Sequence, residues 1–536
     1  MNSNYKIIRI IPILLLIFNF ISCSKENNFE ENKIFRYNEH SNISSLDPAF
    51  SSTLRNIWPV NQLFNGLVQL DKNLKIIPDL AKSWEVSDDG LTYIFELKKE
   101  IYFHESESFG KKLTRPVIAK DFEYSFNRLK DPKLGSPGLW ALKNIKNLQA
   151  KNDSIFTIEL KQPFSAFLGI LSMKYFSVVP EESVKFYKEK FGKNPIGTGP
   201  FKFKKWEENV KLVLRKNNLY HELDSIGNQL PYLEAISITF LPDKKSEFME
   251  FAQKKIDFIN SLDSSFKDQL VSLDGDLKSE HKSSINLISG PYLNTEYLGF
   301  YLGNENNVVN SKKLRQAINY GIDKSKMIKY LRNNIGYVAE NGFVPLGLND
   351  KNKIKGYTYN LTKAKQLIID FKEENNLEEV KLNLTTDANY LDIVEFVQRE
   401  LQKIDINIQI DMVPPSTLRQ GKSTGKFELF RASWIADYPD SENYLGLFYS
   451  KNLTPNGPNY THFKNSIYDK LYEESYIEKN ETKRKRIYKK LDSLIINEAP
   501  IVPLYYDKVM RFTHKNVMGL ESNPINQLNL KKVYKK

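Results

Sequence analysis

The segment FELFRASWIADYPDSENYLGLFYSKN, residues 427–452, places charged groups inside an otherwise apolar and aromatic run. Trp434 and Asp437 stand three positions apart, Arg431 precedes the tryptophan by three, and a Pro-Asp turn follows the carboxylate. Removing a carboxylate from water beside large aromatic side chains costs several kcal/mol unless a cation or hydrogen-bond donors meet it. We therefore expect a partner for Asp437, either elsewhere in the chain or on a ligand.

The N-terminal residues have the pattern of a secretory signal. Two basic residues precede an apolar run over residues 10–18, which is too short to span a bilayer as a stable helix. The sequence FNFISC then ends at Cys23 and resembles a bacterial lipobox, in which this cysteine is lipidated and becomes the mature N-terminus. An ordinary signal peptide with an incidental cysteine is the alternative. We predict a signal peptide over 1–22, and a lipidated cysteine with a flexible tether over 23–32.

Cys23 is the only cysteine among the 536 residues. A disulfide framework, a cysteine-based metal site and a cysteine nucleophile are therefore excluded from the mature chain. Acyl chains contribute about 0.8 kcal/mol per buried methylene, so two or more chains would hold the protein firmly at a membrane surface. We expect a protein that is anchored to a membrane without spanning it.

The mature chain is long and rich in apolar residues, which make up 41% of the sequence. One core rarely serves a chain of this length, so we expect two or three domains. The formal charge is +12, yet the lysines are spread among nearly as many acids. The basic run TKRKRIYKK at 482–490 is typical of a solvated helix face, and a secreted protein seldom meets nucleic acid. We expect no nucleic-acid partner.

Local patterns predict several elements of the body. The Asp89-Gly90 pair between two alternating apolar runs predicts a hairpin. AKDFEYSFNRLKDP predicts a helix before Pro132, with one face formed by Phe122, Ser125, Phe126 and Leu129. Hairpin and helix together indicate a small subdomain over 57–193. Ser311 is the expected N-cap of another helix, whose apolar stripe comprises Leu314, Ala317, Ile318 and Ile322.

Two glycine-containing segments do not meet the requirements of nucleotide-binding loops. GKSTGKF at 421–427 has three residues between its glycines where a phosphate loop needs four, and Phe427 replaces the Ser or Thr that binds magnesium. GTGPF at 197–201 lacks the third glycine of a dinucleotide turn, and Pro200 removes an amide donor. Both segments are predicted to be turns.

The histidines do not form a recognisable metal or catalytic motif. Zinc sites need clustered ligands, and the six histidines are scattered: His40, His104, His221, His281, His462 and His514. A catalytic triad dispersed along the chain stays open, because triads are recognised by geometry. We predict no enzyme activity, no metal site and no cofactor.

Seven segments, taken in their order along the chain, resemble the family 5 extracellular solute-binding proteins, which are peptide-binding receptors of ABC importers. They are SLDP, LFNGL, PDLAKSWEVSDDGLTYIFELKK, AKDFEYSFNRLKDP, IGTGPFKF, LRQAINYGIDK and SWIADYPDSENYL. Each is weak alone, but together they cover nearly the whole mature chain. The resemblance implies an α/β, two-lobe periplasmic-binding-protein fold with hinge crossover strands and an extra subdomain in the first lobe. It also implies a ligand enclosed by closing lobes.

The resemblance also divides the chain into three parts. Lobe I is expected to comprise residues 33–56, 194–289 and 510–536. The inserted subdomain of lobe I is expected over 57–193. Lobe II is expected to comprise residues 290–509.

The same resemblance implies that the opening segment binds the ligand. Asp437 takes the α-ammonium of a bound peptide, Trp434 walls a side-chain pocket, and Arg431 meets the peptide carboxylate. An arginine fork matches a carboxylate bidentately, and an acid in an enclosed site gains most from a compact cation. The peptide backbone is expected to pair with a short extended segment after the LDP turn, as an added strand. The residues of that segment are Ser52, Thr53 and Leu54.

The chain departs from the family near this site. Oligopeptide binders of enteric bacteria have a tyrosine after a Ser-Pro pair, whereas Gly138 follows Ser136 and Pro137 here. Trp140, two residues further on, is the candidate ligand contact in this region.

Each assignment has a structural alternative. Trp434 could be a core residue and Arg431 a surface residue. Asp437 could cap the turn before Pro439, and Asp440 is a rival for its ligand role. The W-x-x-D spacing with an arginine at minus three favours Asp437.

The expected function is that of a lipid-anchored, non-enzymatic receptor of the cell envelope. It would capture short peptides as a monomer and deliver them to the permease and ATPase subunits of an ABC importer. A receptor for a nickel chelate, haem or another small solute is the alternative within the family, and Asp437 favours peptides over these. A secreted hydrolase and a surface adhesin or sensor are the alternatives from other classes.

Overall fold

The computed structural model describes residues 33–261, 264–348 and 354–536. The signal peptide and tether predicted over 1–32, with the expected lipidation of Cys23, lie outside the described residues. No helix within the described ranges is long and apolar enough to cross a membrane.

The elements alternate between strands and helices. The strands are β1 Ile34–Asn38, β2 Val68–Leu70, β3 Ile76–Pro78, β4 Ala81–Val86, β5 Thr92–Leu97, β6 Ile145–Ala150, β7 Ile155–Leu160, β8 Phe201–Glu207, β9 Lys211–Lys216, β10 Ala235–Thr239, β11 Phe258–Asn260, β12 Ile285–Phe300, β13 Tyr337–Val338, β14 Val380–Thr386, β15 Ile406–Met412, β16 Leu429–Ile435, β17 Ile501–His514, β18 Val517–Met518 and β19 Tyr534–Lys535. The α-helices are Leu54–Leu63, Ala119–Arg128, Phe167–Leu171, Glu181–Tyr187, Lys244–Ala252, Ser264–Leu270, Lys312–Gly321, Lys324–Arg332, Leu361–Asn375, Leu391–Gln402, Pro415–Ser423, Glu442–Leu445, Ser466–Ile477 and Glu481–Glu498.

One sheet of eleven strands runs through the body in the order β15-β14-β16-β12-β17-β11-β1-β10-β9-β8, with β13 paired to β17 beside this path. The long strands β12 and β17 are antiparallel partners, and their pairing shifts between Pro291 and Thr295. On one side of this shift, Ile285 packs in an apolar core of lobe I. On the other side, Leu298 packs in the core of lobe II. The two strands therefore cross from one lobe to the other and form the hinge.

Lobe II encloses its part of the sheet between two layers of helices. β14 runs parallel to β15 and to β16. Helices Lys312–Gly321, Leu361–Asn375 and Leu391–Gln402 pack on one face. Helices Ser466–Ile477 and Glu481–Glu498 pack on the other face. Both faces of the sheet are therefore buried, and the sheet is accessible where its strands end.

The predicted cap and stripe of the first of these helices are confirmed. The Ser311 hydroxyl accepts a hydrogen bond from the Leu314 N–H at 3.4 Å, which satisfies one of the free amides of the first turn. The predicted stripe is fully buried, comprising Leu314, Ala317, Ile318 and Ile322.

The region 57–193 has a sheet of its own, in the order β4-β5-β7-β6. The predicted hairpin is confirmed, since β4 and β5 pair antiparallel and Gly90 adopts a φ of +74° in the turn. The predicted helix is confirmed as Ala119–Arg128, and its apolar face packs against β6 and β7. The buried residues of that face are Phe122, Ser125, Phe126 and Leu129. One continuous core joins this sheet to lobe I.

The inserted subdomain also contacts lobe II. The rings of Trp140 and Tyr438 stack with centroids 6.4 Å apart, and those of Phe164 and Tyr476 with centroids 4.4 Å apart. The Ser165 N–H donates to the Tyr476 carbonyl at 3.3 Å. These contacts join the inserted subdomain to lobe II beside the segment that follows β16.

The prediction of two turns in the glycine-containing segments is half wrong. Residues 199–200 form a bend before β8, within the predicted turn. Residues 421–423, however, complete helix Pro415–Ser423, and the turn follows at 424–425. The chain from 421 to 425 also has G-x-S-x-G spacing. Its serine ends a helix instead of standing on a strand-to-helix elbow, so the geometry of a hydrolase nucleophile is missing there.

Candidate functional site

Asp437 lies at the hinge. It follows β16 by two residues, and Trp434 and Ile435, near the end of that strand, pair with Thr295 and Asn294 of β12. The Ala436 N–H donates to the Leu293 carbonyl at 2.9 Å, which fastens the chain beyond the strand to the same hinge residues. The predicted ligand carboxylate therefore stands where the two lobes meet.

Asn443 holds Trp434 and Asp437 in place. Its Oδ1 accepts from the Trp434 indole N–H at 2.9 Å and from the Asp437 backbone N–H at 3.1 Å. Its amide donates to Asp437 Oδ2 at 3.5 Å. A single side chain thereby fixes the orientation of the tryptophan ring relative to the carboxylate.

The Asp437 carboxylate is accessible, and no cation of the described residues pairs with it. Its side chain keeps contact with solvent, although protein surrounds it on most sides, and this partial burial raises its pKa above the usual range. The Asn443 amide opposes the rise, and no lysine, arginine or histidine of the described chain contributes to it. An unpaired carboxylate in a cleft is a site for a cation that comes from outside the chain.

Lobe I and its inserted subdomain form the wall opposite Asp437. Ser52 and Thr53 are exposed, and Thr53 is extended with φ −134° and ψ 150°. The Thr53 carbonyl already accepts the Asn56 and Ile57 N–H groups, and the Ser52 N–H donates to the Phe50 carbonyl, so only part of this backbone is left for pairing. Leu54 already begins helix Leu54–Leu63, so the extended stretch is shorter than the three residues predicted. Trp140 is 37% exposed at the contact with Tyr438 described above.

Tyr175 is a wall residue that the sequence did not indicate. It lies in the short 3₁₀ turn Lys174–Phe176, and burial together with repulsion from Asp437 raises its pKa to about 12, against the effect of the nearby Ser52 hydroxyl. The phenol therefore interacts with Ser52 of lobe I and with Asp437 of lobe II. Asn443 was missed as well, although its position as a polar residue in an apolar run was a usable signal.

Arg431 is engaged within lobe II. Its Nη2 lies 2.5 Å from Glu296 Oε2 and its Nη1 lies 3.8 Å from Asp387 Oδ2, and both carboxylates are buried. Its guanidinium carbon lies 3.0 Å from the ring centroid of Tyr390. Arg431 is therefore a buried, compensated cation and not the partner of Asp437.

Asp440, the rival acid, shapes the turn. Its Oδ1 accepts from the Glu442 N–H at 2.9 Å, and its own N–H donates to the Tyr438 carbonyl at 2.9 Å. These bonds are those of a capping aspartate. The turn presents Asp437 to the cleft.

A second acidic cluster could attract a metal ion but already contains cations. One ligand atom from each of Asp79, His221 and Glu222 lies within 4.8 Å of the others. Lys531 Nζ, however, lies 2.6 Å from Glu222 Oε2, and the charge of Lys174 acts on Asp79. The lysines supply the positive charge that a metal would bring, so we assign the cluster to an internal ion-pair network.

Replacing Asn443 by alanine is expected to weaken both fold and site. It leaves the indole N–H of Trp434 and the backbone N–H of Asp437 without their acceptor. This loss should lower the free energy of unfolding by about 1–3 kcal/mol. Ligand affinity should also fall, because the indole and the carboxylate lose their common support. Urea unfolding and calorimetric titration measure the two effects.

The control for that variant is Asn480→Ala. Asn480 caps helix Glu481–Glu498 through the Lys483 N–H at 3.0 Å, far along the chain from the site. This variant should lose about 1 kcal/mol of stability and no affinity. Equal affinities of Asn443→Ala and the wild type would contradict the role of Asn443.

Glu442 is expected to make the fold more stable at acidic than at alkaline pH. It is 5% exposed, accepts hydrogen bonds from the Tyr438 and Tyr472 hydroxyls, and its pKa is raised by burial to about 7. Because the pKa of Glu442 is higher in the folded than in the unfolded chain, its protonated form stabilises the fold. This stabilisation is fully present at a pH below the pKa of the unfolded chain and is lost as the pH rises through 7. Relative to Glu442→Gln, the wild type should lose up to about 3 kcal/mol between pH 4 and pH 8.

Urea unfolding of both proteins across this range tests the prediction. Glu189→Gln, at an exposed glutamate, is the matched control and should leave the pH profile unchanged. Parallel profiles of Glu442→Gln and the wild type would show that Glu442 ionises normally in the fold.

A two-lobed α/β chain with a double-stranded hinge and an accessible carboxylate where the lobes meet defines the class of hinged binding proteins. Comparison with known sequences gives the family: residues 75–456 match the sequence model of the bacterial extracellular solute-binding proteins, family 5 (middle part). The chain belongs to this family. The predicted family and the predicted two-lobe α/β fold are confirmed.

Individual relatives are similar over nearly their whole length. The dipeptide-binding protein DppE of Bacillus subtilis is 25% identical over 529 residues, which cover 93% of this chain and 91% of the relative. Heme-binding protein A of Haemophilus influenzae is 28% identical over 488 residues, which cover 86% and 85%. The solved structure of the periplasmic binding protein DppA from Helicobacter pylori, in complex with the peptide STSA, matches with a TM-score of 0.76 and 25% identity, over 94% of this chain and 98% of that one.

Proposed function

We propose that the protein is a receptor for short peptides. It encloses a peptide between its lobes and binds the N-terminal ammonium of the peptide. The observation that carries this proposal is the Asp437 carboxylate, which is accessible where the lobes meet, is oriented by Asn443 and has no cationic partner in the part of the chain that the structure describes. An α-ammonium supplies one positive charge and three N–H donors in a compact group. The similarity to proteins described as binding dipeptides or a peptide supports the same conclusion.

The other predicted residues have distinct roles in this proposal. Trp434 and Trp140 are walls of side-chain pockets on opposite lobes, and the exposed backbone at Ser52 and Thr53 pairs with the peptide main chain. Arg431 is the residue for the peptide carboxylate, through an Nε–H that lacks a hydrogen-bond partner among the described residues; because this group is buried, the carboxylate must displace neighbouring side chains to reach it. Because Glu296 already compensates its charge, this contact adds less affinity than the one at Asp437.

Delivery to a membrane permease completes the proposal. We propose that the receptor is a monomer without enzyme activity, held in the cell envelope by a lipid on Cys23, that passes its ligand to the permease and ATPase subunits of an ABC importer. The lipobox-like sequence supports the anchor. The hinge between the lobes supports capture and release.

A receptor for haem is the second candidate. It is favoured by the 28% identity to a heme-binding protein, and the aromatic walls of the cleft would accept a flat apolar ligand. Haem carries carboxylates and no ammonium, so it would leave Asp437 unpaired. We therefore place haem, and with it nickel chelates and other small solutes, after peptides.

Native mass spectrometry of the gently purified chain from residue 24 tests the proposal. Peptide masses that co-purify with the protein, and micromolar or tighter binding of a mixed tri- to pentapeptide pool in calorimetry, are the expected results. Haem, a nickel chelate and glutathione are titrated in parallel. Binding of one of these without binding of any peptide would refute the peptide assignment.

A further inference from the structure

A loop of lobe I exposes two large apolar side chains to solvent. The loop spans residues 222–230, shortly before β10. Ile226 at its tip is 82% exposed, and Leu223 is 60% exposed. Isolated exposed apolar residues are common on proteins, so these two are informative only through the way the loop is built and through what lies beside it.

Asp224 holds the loop in a fixed shape. Its Oδ1 accepts from the Ile226 N–H at 2.9 Å and from the Asn228 N–H at 2.8 Å. Its Oδ2 accepts from the Asn228 amide at 2.9 Å and from the Tyr232 hydroxyl at 2.5 Å. Gly227 completes the turn with a φ of +90°, which a residue with a side chain rarely adopts. The turn therefore presents Ile226 to solvent, where an apolar side chain gains nothing until a partner covers it.

This loop adjoins the place where the predicted tether enters the fold. The Glu234 N–H donates to the Lys33 carbonyl at 2.9 Å, directly before β10 pairs with β1. The Tyr232 N–H donates to the Lys531 carbonyl at 3.4 Å, and the Tyr232 ring meets the Tyr534 ring edge-on, with centroids 5.9 Å apart. These segments form one surface, which we call the tether surface. It consists of Lys33 and of residues 222–234 and 531–536.

The length of the predicted tether keeps this surface close to a membrane. Ten residues, 23–32, lie between the start of the predicted mature chain and Lys33. A polypeptide spans at most about 3.3–3.6 Å per residue, so a lipid on Cys23 would hold Lys33 within about 35 Å of the bilayer. A folded chain of this size is about 60 Å across. The side of lobe I that carries Lys33 is thus the side nearest the bilayer.

The charges of the tether surface suit an anionic bilayer. Lys33, Lys532 and Lys536 are exposed on it. Glu222, an acid of the loop, is compensated by Lys531, whose Nζ lies 2.6 Å from its Oε2. Lysines are attracted to anionic lipid within a Debye length, about 8–10 Å. Binding at a bilayer surface grows with this attraction and with the apolar area that is buried between the headgroups.

We propose that the tether surface docks on an anionic phospholipid bilayer, with Leu223 and Ile226 inserted between the headgroups, so that the anchored receptor lies on the membrane by one defined side. This inference rests on the lipid anchor proposed above and specifies how the anchored body is oriented. The tether surface lies at the amino end of β1, whereas Ser52 and Thr53 follow its carboxyl end. Docking therefore leaves the candidate ligand residues of lobe I away from the bilayer.

Site-directed fluorescence of the lipidated full chain in vesicles tests the proposal. Cys23 is the only cysteine of the chain and carries the predicted lipid, so Ser225→Cys supplies a single labelling site in the loop. Thr362→Cys supplies a matched exposed site on helix Leu361–Asn375 of lobe II. The vesicles are equimolar phosphatidylcholine and phosphatidylglycerol with a spin-labelled lipid as quencher. We expect quenching of the dye at position 225 to be at least about fivefold stronger than at position 362.

Two double variants separate insertion of the loop from its closeness to the bilayer. Leu223→Ser with Ile226→Ser should weaken docking at least about tenfold, the change that burial of one large apolar side chain corresponds to, and the quenching at position 225 should be lost. Ile467→Ser with Ile477→Ser removes two similarly exposed apolar side chains from lobe II and should leave that quenching unchanged. Thermal unfolding verifies that each variant is folded.

The outcomes separate the inference from the anchor on which it rests. Equal quenching at the two dye positions, or quenching at position 225 that survives in Leu223→Ser with Ile226→Ser, overturns the docking and leaves the anchored receptor intact. Equally strong quenching in vesicles of phosphatidylcholine alone overturns the role of anionic lipid. A chain whose mass shows no lipid on Cys23 refutes the proposed anchor, and the docking with it. Peptide binding, measured separately by calorimetry, does not depend on any of these results.

Discussion

Asp437→Asn should lower the affinity for peptides by at least a hundredfold while leaving the fold unchanged. Asparagine has nearly the same shape and can keep its contact with Asn443, but it cannot neutralise a ligand ammonium. Leaving one partner of an enclosed ion pair unpaired costs about 3–5 kcal/mol, and a hundredfold loss corresponds to about 2.7 kcal/mol. Calorimetric titration with the peptide that the wild type binds best measures the loss, and thermal unfolding checks the fold.

Asp440→Asn is the matched control for this prediction. Asp440 caps the turn through the Glu442 N–H, and asparagine keeps that acceptor, so the affinity should change by less than about threefold. Acetylating the peptide N-terminus should weaken binding to the wild type and have little further effect on Asp437→Asn. If Asp440→Asn loses the peptide and Asp437→Asn retains it, the two acids have been assigned the wrong way round.

Arg431→Met should lower the free energy of unfolding by about 3–5 kcal/mol, because it leaves the buried Glu296 carboxylate without its cation. Asp387 cannot replace the arginine, since it carries the same charge as Glu296. Glu296→Gln should cost less, because Asp387 still lies 3.8 Å from the guanidinium. Urea unfolding of each variant gives these values.

The double variant Arg431→Met with Glu296→Gln shows whether the two residues act as a pair. It should recover most of the stability that Arg431→Met alone loses, which gives a coupling free energy above about 1 kcal/mol. Additive losses, with coupling below about 0.5 kcal/mol, would contradict the pairing. The same double variant tests the proposed ligand role, because it should still bind peptides with a free C-terminal carboxylate more weakly than the wild type. C-terminally amidated peptides should bind to the double variant and to the wild type with equal affinity.

The fold was predictable where local signals and their order were strong. The hairpin at Gly90, the helix Ala119–Arg128 and the cap at Ser311 follow from turn residues and apolar spacing within a few positions. The turn predicted at 421–427 failed, because part of it continues helix Pro415–Ser423, and helix ends are set by contacts that a short window does not contain.

The candidate site was predictable in part. Trp434 and Asp437 stand in one recognisable segment, so their proximity is a local property of the chain. The partner of Arg431 was not predictable, because Glu296 is 135 residues away and meets it through the pairing of β12 with β16. The register of two strands is a tertiary property.

The sequence by itself determined the family, the two-lobe α/β architecture and the segment that carries the candidate ligand acid, because these depend on motifs whose order is visible along the chain. Only the tertiary structure decided which neighbours those residues have: Asn443 orients Asp437, Glu296 occupies Arg431, and Tyr175 fills the space above Gly138. The physical reason is that burial, unpaired charge and close packing arise between side chains brought together by the hinge and the packing of the lobes, and no local pattern of residues encodes those distances.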